Sequence, residues 1–357
     1  MLILYITYVD FGPTQSGAAT RPQKMYRAFL DEGHEVRLLA VSQNRDHRKL
    51  RREAVRELYA WLEDHTPDLC YIESPVYPIL WEFDRKLIRD IRARGIPCGY
   101  FTRDCYDRFP EMFPPRTDLA GRIKDAWLRR QRRLTEKTLM CLSVAYFPVM
   151  EMAQFYPYPD KRALPPAGED HVADSRPEPR RLVYVGGILN QYGGELLLRA
   201  FQLLNRDGEE YRLTLVCREK EWRQIPEELK GADWLELHHT SGEGLIPLLS
   251  AASAGLIIGL NDYWNYTIPI KVFEYMGYGL PVVYIKNGPL DRFMEQYSMG
   301  VGADRTPESY AEAIRTLLAD EARWNEYRQN AVSALRDGNL WVHRVRQLVR
   351  ELTEETR

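Results

Sequence analysis

The stretch between residues 267 and 283 constrains the fold more than any other part of this chain, and it reads TIPIKVFEYMGYGLPVV. Its apolar side chains repeat at the spacing of one helix face, and two glycines then end the helical pattern. Short apolar runs at 254–260 and 280–285 flank the stretch, as expected for buried strands. The pattern therefore predicts strand, helix, tight turn and strand, the repeating unit of a parallel α/β sheet.

The polar face of this predicted helix carries Lys271 and Glu274, three residues apart. Open α/β sheets bind ligands outside the carboxyl ends of their strands, and a helix N-terminus in that place favours phosphate. A carboxylate one turn further along accepts hydrogen bonds from hydroxyl groups such as those of a ribose. The pair therefore predicts a nucleotide site, and an ordinary ion pair on an exposed helix is the alternative.

The Pro-x-Lys-x-x-Glu-Tyr-Met run of this stretch resembles the nucleotide-sugar signature of family 4 glycosyltransferases, also called glycosyl transferases group 1. The resemblance implies an α/β chain with the GT-B fold, in which two Rossmann-like domains face each other across a cleft. It implies that Glu274 holds the ribose of the nucleotide. Four more residues are expected to bind the donor: Tyr266, Thr267, Ile270 and Lys271. Family members commonly carry a glutamate where this chain has Tyr266, so the sugar contact departs from the family pattern.

A second glycine-bearing loop follows the strand predicted at 181–187. Glycines there let backbone approach a ligand closely, and a plain tight turn is the alternative. By the resemblance, three donor-binding residues are expected in this loop: Gly187, Asn190 and Tyr192. The family usually places an arginine and a lysine where this chain has Gly187 and Tyr192. Arg218, just after the next predicted strand, is the expected substitute, with Lys220 as another.

The amino-terminal end predicts a βαβ unit with a strand at 2–9, a helix at 21–32 and a strand at 36–41. The loop at 10–20 has neither the dinucleotide fingerprint nor the P-loop pattern. It resembles the first glycine loop of the same glycosyltransferase family, which implies that Gly17 approaches the donor diphosphate. An ordinary flexible loop is the alternative.

Charged residues follow the strand predicted at 96–101, where a parallel sheet opens to ligands. Arg103 and Asp104 are therefore the predicted catalytic residues, and an Arg-Asp pair there also resembles a motif of polysaccharide glycosyltransferases. Asp104 is placed to accept a proton from an acceptor hydroxyl, whereas a structural ion pair is the alternative. Glu73 and Asp107 are weaker candidates.

The segment 116–137 is the most basic part of the chain, with eight Lys or Arg against three acids. Its apolar residues, among them Trp127, fall close to one face of a helix. A basic amphipathic helix with tryptophan suits an anionic membrane surface. The alternative is a helix packed on its own domain with its basic face in water, and it is favoured because runs of charged residues usually face water.

Bulk properties narrow the function class. Lys plus Arg number 49 against 51 for Asp plus Glu, a net charge of -2, so nucleic acid is not an expected partner. The five cysteines are scattered, which disfavours a disulfide framework or a zinc site. No signal-peptide pattern is present, so we expect a cytoplasmic protein, with a peripheral place at the inner membrane face as a further expectation.

The stretch 157–179 is rich in proline, charge and small residues and has no periodicity, which predicts a linker between two domains. We expect an acceptor-side domain at 1–170 and a nucleotide-sugar domain at 171–340. By the resemblance, residues 341–357 form a final helix that crosses back to the first domain.

The resemblance implies glycosyl transfer, with retention, from a UDP- or GDP-sugar to a saccharide or lipid-linked acceptor in polysaccharide biosynthesis. It implies neither a metal nor a cofactor, because such folds stabilise the leaving diphosphate with helix dipoles and cations. Two other classes stay open. The missing basic residues favour a non-catalytic GT-B-like scaffold or glycan-binding protein, and a sugar-nucleotide epimerase is the third possibility.

Overall fold

The chain folds into two compact units. A computed structural model describes residues 1–11, 17–76, 78–109, 116–189, 192–208 and 210–354. The first unit contains Met1–Pro165 together with Trp341–Arg357, and the second contains Pro166–Leu340. The division falls between Pro165 and Pro166, whereas the sequence pattern places it near residue 170.

The first unit contains a six-stranded parallel sheet in the order β2-β1-β3-β4-β5-β6. Its strands are β1 (Leu2–Thr7), β2 (Glu35–Ala40), β3 (Leu69–Glu73), β4 (Cys98–Phe101), β5 (Val144–Phe147) and β6 (Lys161–Ala163). Its helices are α1 (Gly17–Asp31), α2 (Arg48–Asp64), α3 (Glu82–Ala93), α4 (Leu119–Leu139), α5 (Met150–Ala153) and, after the second unit, α13 (Trp341–Glu354). The central strands are almost wholly buried, as their continuous apolar runs predict.

Two expectations for this unit were wrong in detail. The helix predicted to start at residue 21 begins at Gly17, so the first loop is shorter than the pattern indicates. The stretch 157–179 was expected to be irregular, yet Lys161–Ala163 forms the sheet edge, where Arg162 pairs with Tyr146 of β5. This short strand is defined by its backbone hydrogen bonds to β5, so the pattern of its side chains does not predict a strand.

The second unit contains another six-stranded parallel sheet, in the order β12-β11-β10-β7-β8-β9. Its strands are β7 (Arg181–Val185), β8 (Arg212–Val216), β9 (Leu235–His238), β10 (Ala254–Ile257), β11 (Val282–Ile285) and β12 (Gly300–Ala303). Its helices are α6 (Gly194–Asn205), α7 (Glu219–Trp222), α8 (Ile246–Ala251), α9 (Ile270–Gly277), α10 (Gly288–Tyr297), α11 (Pro307–Leu318) and α12 (Glu321–Gly338). The predicted strand–helix–turn–strand unit is confirmed as β10, α9 and β11.

Tyr275 fixes α9 on this sheet. Its hydroxyl accepts a hydrogen bond from Val185 N at 3.3 Å and donates one to Leu256 O at 3.3 Å. Its ring occupies the space above Gly255, where an added Cβ would lie 2.3 Å from the ring. Because one side chain joins β7 and β10 to α9, the polar face of that helix is held beside the end of β7.

Within the residues described, no helix is long and apolar enough to cross a membrane.

Candidate functional site

The end of β7 and the start of α9 place the ammonium of Lys271 against the backbone of Gly186. Gly186 follows β7 with φ +156°, and its N–H donates to Val216 O at 2.9 Å. A Cβ added to Gly186 would lie 3.0 Å from Lys271 Cε and 3.3 Å from its Nζ. The ammonium of Lys271 therefore lies against the backbone of Gly186, in a space that only glycine leaves open.

Lys271 is partly buried, and this burial lowers the pKa of its ammonium, with the charge of Arg218 adding to the effect and Glu274 opposing it. Among the described residues, its Nζ has neither a hydrogen bond nor an ion pair within contact distance. A desolvated cation that has no ion pair or hydrogen bond at contact distance favours the arrival of an anion.

Glu274 lies one turn further along α9 and is half-buried. The part of the chain that the structure describes gives its carboxylate no hydrogen-bond partner. The helix itself begins at Ile270 after Pro269, which has no capping side chain. Val272 N–H, the third of the helix, donates to Pro269 O at 3.1 Å, so among the described residues the N–H groups of Ile270 and Lys271 are the ones available to an anion. We call Gly186, Lys271 and Glu274 the glycine-loop site.

Two tyrosines enclose Gly187. The Tyr184 hydroxyl donates a 2.6 Å hydrogen bond to Gly187 O, and a Cβ on Gly187 would lie 2.6 Å from the ring of Tyr192. Glycine at 187 thus makes room for a side chain of the same loop. Asn190, a further expected donor contact, lies outside the described residues.

Arg218, the expected substitute cation, is already paired. Its Nη2 lies 2.6 Å from Oε1 of Glu221, a carboxylate that is only 3% exposed. The other oxygen of Glu221 accepts a 3.0 Å hydrogen bond from Ile188 N in the glycine loop. Lys220 is exposed. Sequence reasoning missed Glu221, although its position three residues after Arg218 was a signal that an ion pair would form.

The remaining expected donor residues lie in the segment that leads into α9. Tyr266 ends a short 3-10 turn at Asp262–Tyr266 and is half-buried, whereas Thr267 is buried and Ile270 is partly exposed. The structure thus brings Lys271, Glu274 and the glycine loop together, and it leaves Arg218 beside them with its charge balanced by Glu221.

The first unit holds a cavity of about 350 Å³ between the strand ends and α4, which we call the tyrosine cavity. Four tyrosines contribute to its wall: Tyr100, Tyr106, Tyr156 and Tyr158. Burial raises the pKa of Tyr100 and of Tyr156 well above the usual range, so both hydroxyls stay protonated. The buried Thr102 Oγ1 in the same wall has no hydrogen-bond partner among the described residues.

Most of the carboxylates in the wall of the tyrosine cavity form ion pairs. Three of its carboxylates are each paired with an arginine: Arg132 with Asp107 at 2.6 Å, Arg108 with Glu136 at 2.7 Å, and Arg116 with Asp125. Paired charges, phenols and a spare hydroxyl suit a neutral ligand with many hydroxyl groups better than an anion.

The predicted catalytic residues take different places. Asp104 lines the tyrosine cavity, and its backbone carbonyl accepts a 3.2 Å hydrogen bond from the Tyr156 hydroxyl. Arg103 is half-buried beside it, and its backbone N–H donates to Ser74 Oγ at 3.1 Å. Asp104 therefore has access to a bound ligand, whereas Arg103 is not part of the cavity wall.

Glu73 and Gly17, from other parts of the first unit, lie apart from this cavity wall. Glu73 is fully buried, with Oε1 3.2 Å from Arg21 Nε and 3.1 Å from the Tyr71 hydroxyl. Its Oε2 has no partner among the described residues. Gly17 is the first residue of α1, and most of the loop before it lies outside the described residues.

The two sheets with their surrounding helices form the GT-B fold of glycosyltransferases, so the predicted fold class is confirmed. Sucrose-phosphate synthase from Thermosynechococcus elongatus superposes with a TM-score of 0.71 at 13% identity, covering 99% of this chain and 100% of that chain. WaaG, a glycosyltransferase involved in lipopolysaccharide biosynthesis, gives 0.65 at 13% identity, covering 97% and 98%. Anabaena HepE in complex with UDP gives 0.67 at 14% identity, covering 99% and 100%.

Sequence comparison agrees for the second unit. Residues 179–320 match the family model described as glycosyl transferases group 1, and this range contains the glycine-loop site. No curated protein matches the chain in sequence.

Proposed function

We propose that this protein is a glycosyltransferase that moves a sugar from a nucleotide-sugar donor to a saccharide or lipid-linked acceptor. The observation that carries the proposal is Lys271, a partly buried cation without an ion-pair partner among the described residues, which lies on the backbone of Gly186. Glu274 stands one turn further along the same helix face. Support comes from the group 1 family model, which spans all three residues.

In this proposal the donor diphosphate binds between Lys271 and the first N–H groups of α9, and the ribose hydroxyls donate to Glu274. We favour a UDP-sugar. Solved structures with the same fold include HepE in complex with UDP-glucose and an E. coli trehalose-6-phosphate protein bound with UDP-2-fluoro glucose.

The proposed reaction breaks the bond between the anomeric carbon and the β-phosphate oxygen, and forms a bond from that carbon to an acceptor hydroxyl oxygen. Asp104 accepts the proton of that hydroxyl, while Lys271 and the N-terminus of α9 stabilise the charge on the leaving diphosphate. Retention at the anomeric carbon is part of this proposal, so the acceptor oxygen arrives on the same face of the sugar that the diphosphate leaves. The lack of a metal requirement is part of it as well. The acceptor sugar lies in the tyrosine cavity, where phenol rings stack on sugar rings and Asp104 reaches a hydroxyl.

A thermal-shift panel of UDP, GDP, ADP and CMP with the matching sugar nucleotides tests the donor site. A ligand at about 100 times its dissociation constant stabilises the native state by about 2.7 kcal/mol, which gives a clear shift. We expect UDP and a UDP-sugar to stabilise the protein. In calorimetry, Glu274→Ala should lower the affinity for both ligands. Unchanged nucleotide affinity in a folded Glu274→Ala protein contradicts the ribose assignment.

A non-catalytic GT-B protein is the second candidate, and the pairing of Arg218 with Glu221 favours it, because that pair leaves Lys271 as the main cation of the site. Turnover separates the two candidates. Release of UDP from a UDP-sugar in the presence of a glycan acceptor supports the enzyme. UDP binding without any turnover over a broad acceptor panel supports the scaffold.

We place the protein in the cytoplasm, as its sequence predicts.

A further inference from the structure

Helix α4 exposes a row of large apolar side chains. Leu119, Ile123 and Trp127 follow one another at intervals of four residues, and they are 74%, 63% and 43% exposed. Residues four apart lie on one helix face, so the three side chains form a single stripe. A contiguous apolar stripe on a monomer marks a surface that another molecule covers.

The stripe lies opposite the tyrosine cavity. Each residue turns an α-helix by about 100°, which puts Leu128, Arg132 and Leu139 on the side away from Ile123. Those three residues line the cavity. One face of α4 therefore packs on its own unit, while the opposite face is exposed at Leu119, Ile123 and Trp127 in the first half of the helix. We call this opposite face the outer face of α4.

The charges of α4 are sorted between the two faces. Both acids of the helix, Asp125 and Glu136, line the cavity and are paired with arginines. Exposed basic side chains border the apolar stripe: Arg122, Lys124, Arg130, Arg133 and Lys137. The outer face thus combines apolar and cationic side chains and carries no carboxylate of its own helix.

We propose that the outer face of α4 docks on an anionic lipid bilayer, with Leu119, Ile123 and Trp127 inserted at the level of the headgroups. Basic side chains around an apolar stripe that contains tryptophan fit this surface, because lipid phosphates meet the cations while the acyl boundary takes the apolar groups. The chain as a whole carries a net charge of -2, so the attraction is local to this helix. The proposal is independent of the glycosyltransferase activity.

Two other occupants fit the outer face less well. A nucleic acid would satisfy the cations but would leave the apolar stripe exposed to water. A second copy of this chain would place one basic outer face against another in a symmetric dimer, which like charges oppose. Charge complementarity therefore selects the anionic bilayer.

Vesicle flotation of the full-length protein tests the proposal. We expect the protein to float with vesicles of phosphatidylglycerol and phosphatidylcholine at low salt, and to stay at the bottom with pure phosphatidylcholine. Raising the salt concentration should release much of it, since screening weakens attraction between the helix and the surface. Failure to float with anionic vesicles at low salt would overturn the proposal.

Matched variants locate the contact. Replacing Leu119, Ile123 and Trp127 together by serine should lower the bound fraction about tenfold, and Ile123→Ser alone should lower it several-fold. Leu50→Ser is the control, because Leu50 on α2 is 54% exposed and lies outside the outer face. Unchanged thermal unfolding confirms that each variant is folded. Equal flotation of the serine variants and the parent protein would refute the assignment to α4.

Light scattering at several protein concentrations tests whether a second copy of this chain covers the outer face. A dimer that forms with concentration, and that the serine substitutions dissociate, would show that a second copy covers the outer face. That result would replace the bilayer in this proposal. A monomer that floats only with anionic vesicles supports it.

Discussion

The glycine-loop site and the tyrosine cavity differ in whether their charged side chains form ion pairs. Lys271 has no ion-pair partner among the described residues, and burial lowers the pKa of its ammonium. In the tyrosine cavity Asp107 and Asp125 are instead paired with Arg132 and Arg116. The second unit therefore favours an anionic ligand, whereas the first unit favours a ligand with hydroxyl groups. Substitutions on either side test this contrast.

The largest effect is expected in the first unit. Asp104→Asn removes the proposed proton acceptor while keeping the side-chain shape, and general-base catalysis contributes about 10²–10⁴-fold to a rate. We expect turnover of a UDP-sugar with acceptor to fall by about 10²-fold or more. Calorimetric affinity for UDP should not change, since the donor contacts lie in the second unit. A variant that keeps full turnover would remove Asp104 from the mechanism.

Lys271→Met removes the cation but keeps most of the side-chain volume. Hydrogen bonds to charged groups contribute about 1.5–3 kcal/mol, so we expect UDP affinity to fall by about 10- to 150-fold. Lys49→Met is the matched control, because Lys49 is exposed on α2 of the first unit and lies outside the glycine-loop site. Equal losses for both variants would mean that affinity reflects general charge and not the glycine-loop site.

Gly186→Ala tests the close contact between the loop and the lysine. The new methyl group would lie 3.0 Å from Lys271 Cε at a φ of +156°, so the ammonium must move. We expect UDP affinity to fall by about tenfold, with a loss of thermal stability. Gly208→Ala controls for backbone strain, since Gly208 has φ +83° and no neighbour within 4 Å. It should lose stability and keep its affinity.

The smallest effect concerns pH. Burial lowers the pKa of Lys271 in the free protein, and a bound diphosphate should raise it again by favouring the ammonium. Binding of UDP then takes up protons between these two pKa values, so the affinity falls as the pH rises through that window. Calorimetry in buffers of different ionisation enthalpy measures the uptake. Lys271→Met should abolish it, and an uptake that persists in this variant would assign it to another group.

Much of the fold followed from local patterns. The run from 267 to 283 combines helical spacing with terminal glycines, and the structure places α9 at Ile270–Gly277 between two buried strands. The edge strand β6 did not follow, because it depends on hydrogen bonds to β5 that are remote in sequence. Local signals report helices and buried strands well, and they report pairing at a sheet edge poorly.

The candidate site was predictable in part. Lys271 and Glu274 share a helix face by spacing alone, and Asp104 follows a buried strand. The ion pair between Arg218 and Glu221 was harder to predict, because the burial of Glu221 depends on its hydrogen bond from Ile188 N across the loop. The tyrosine cavity was not visible at all, since its tyrosines come from separate segments of the first unit.

Periodicity and spacing in the sequence were enough to predict the two α/β units, apart from β6, and the pair of charges on α9, because both are properties of neighbouring residues. Which charges stay available to a ligand depends instead on folding. Among the described residues Lys271 lies on Gly186 with no ion pair at contact distance, and Arg218 is paired with Glu221, because burial and ion pairing arise from residues that folding brings together. The same reason applies to α4, whose apolar stripe becomes an exposed outer face only once its other side packs on the first unit.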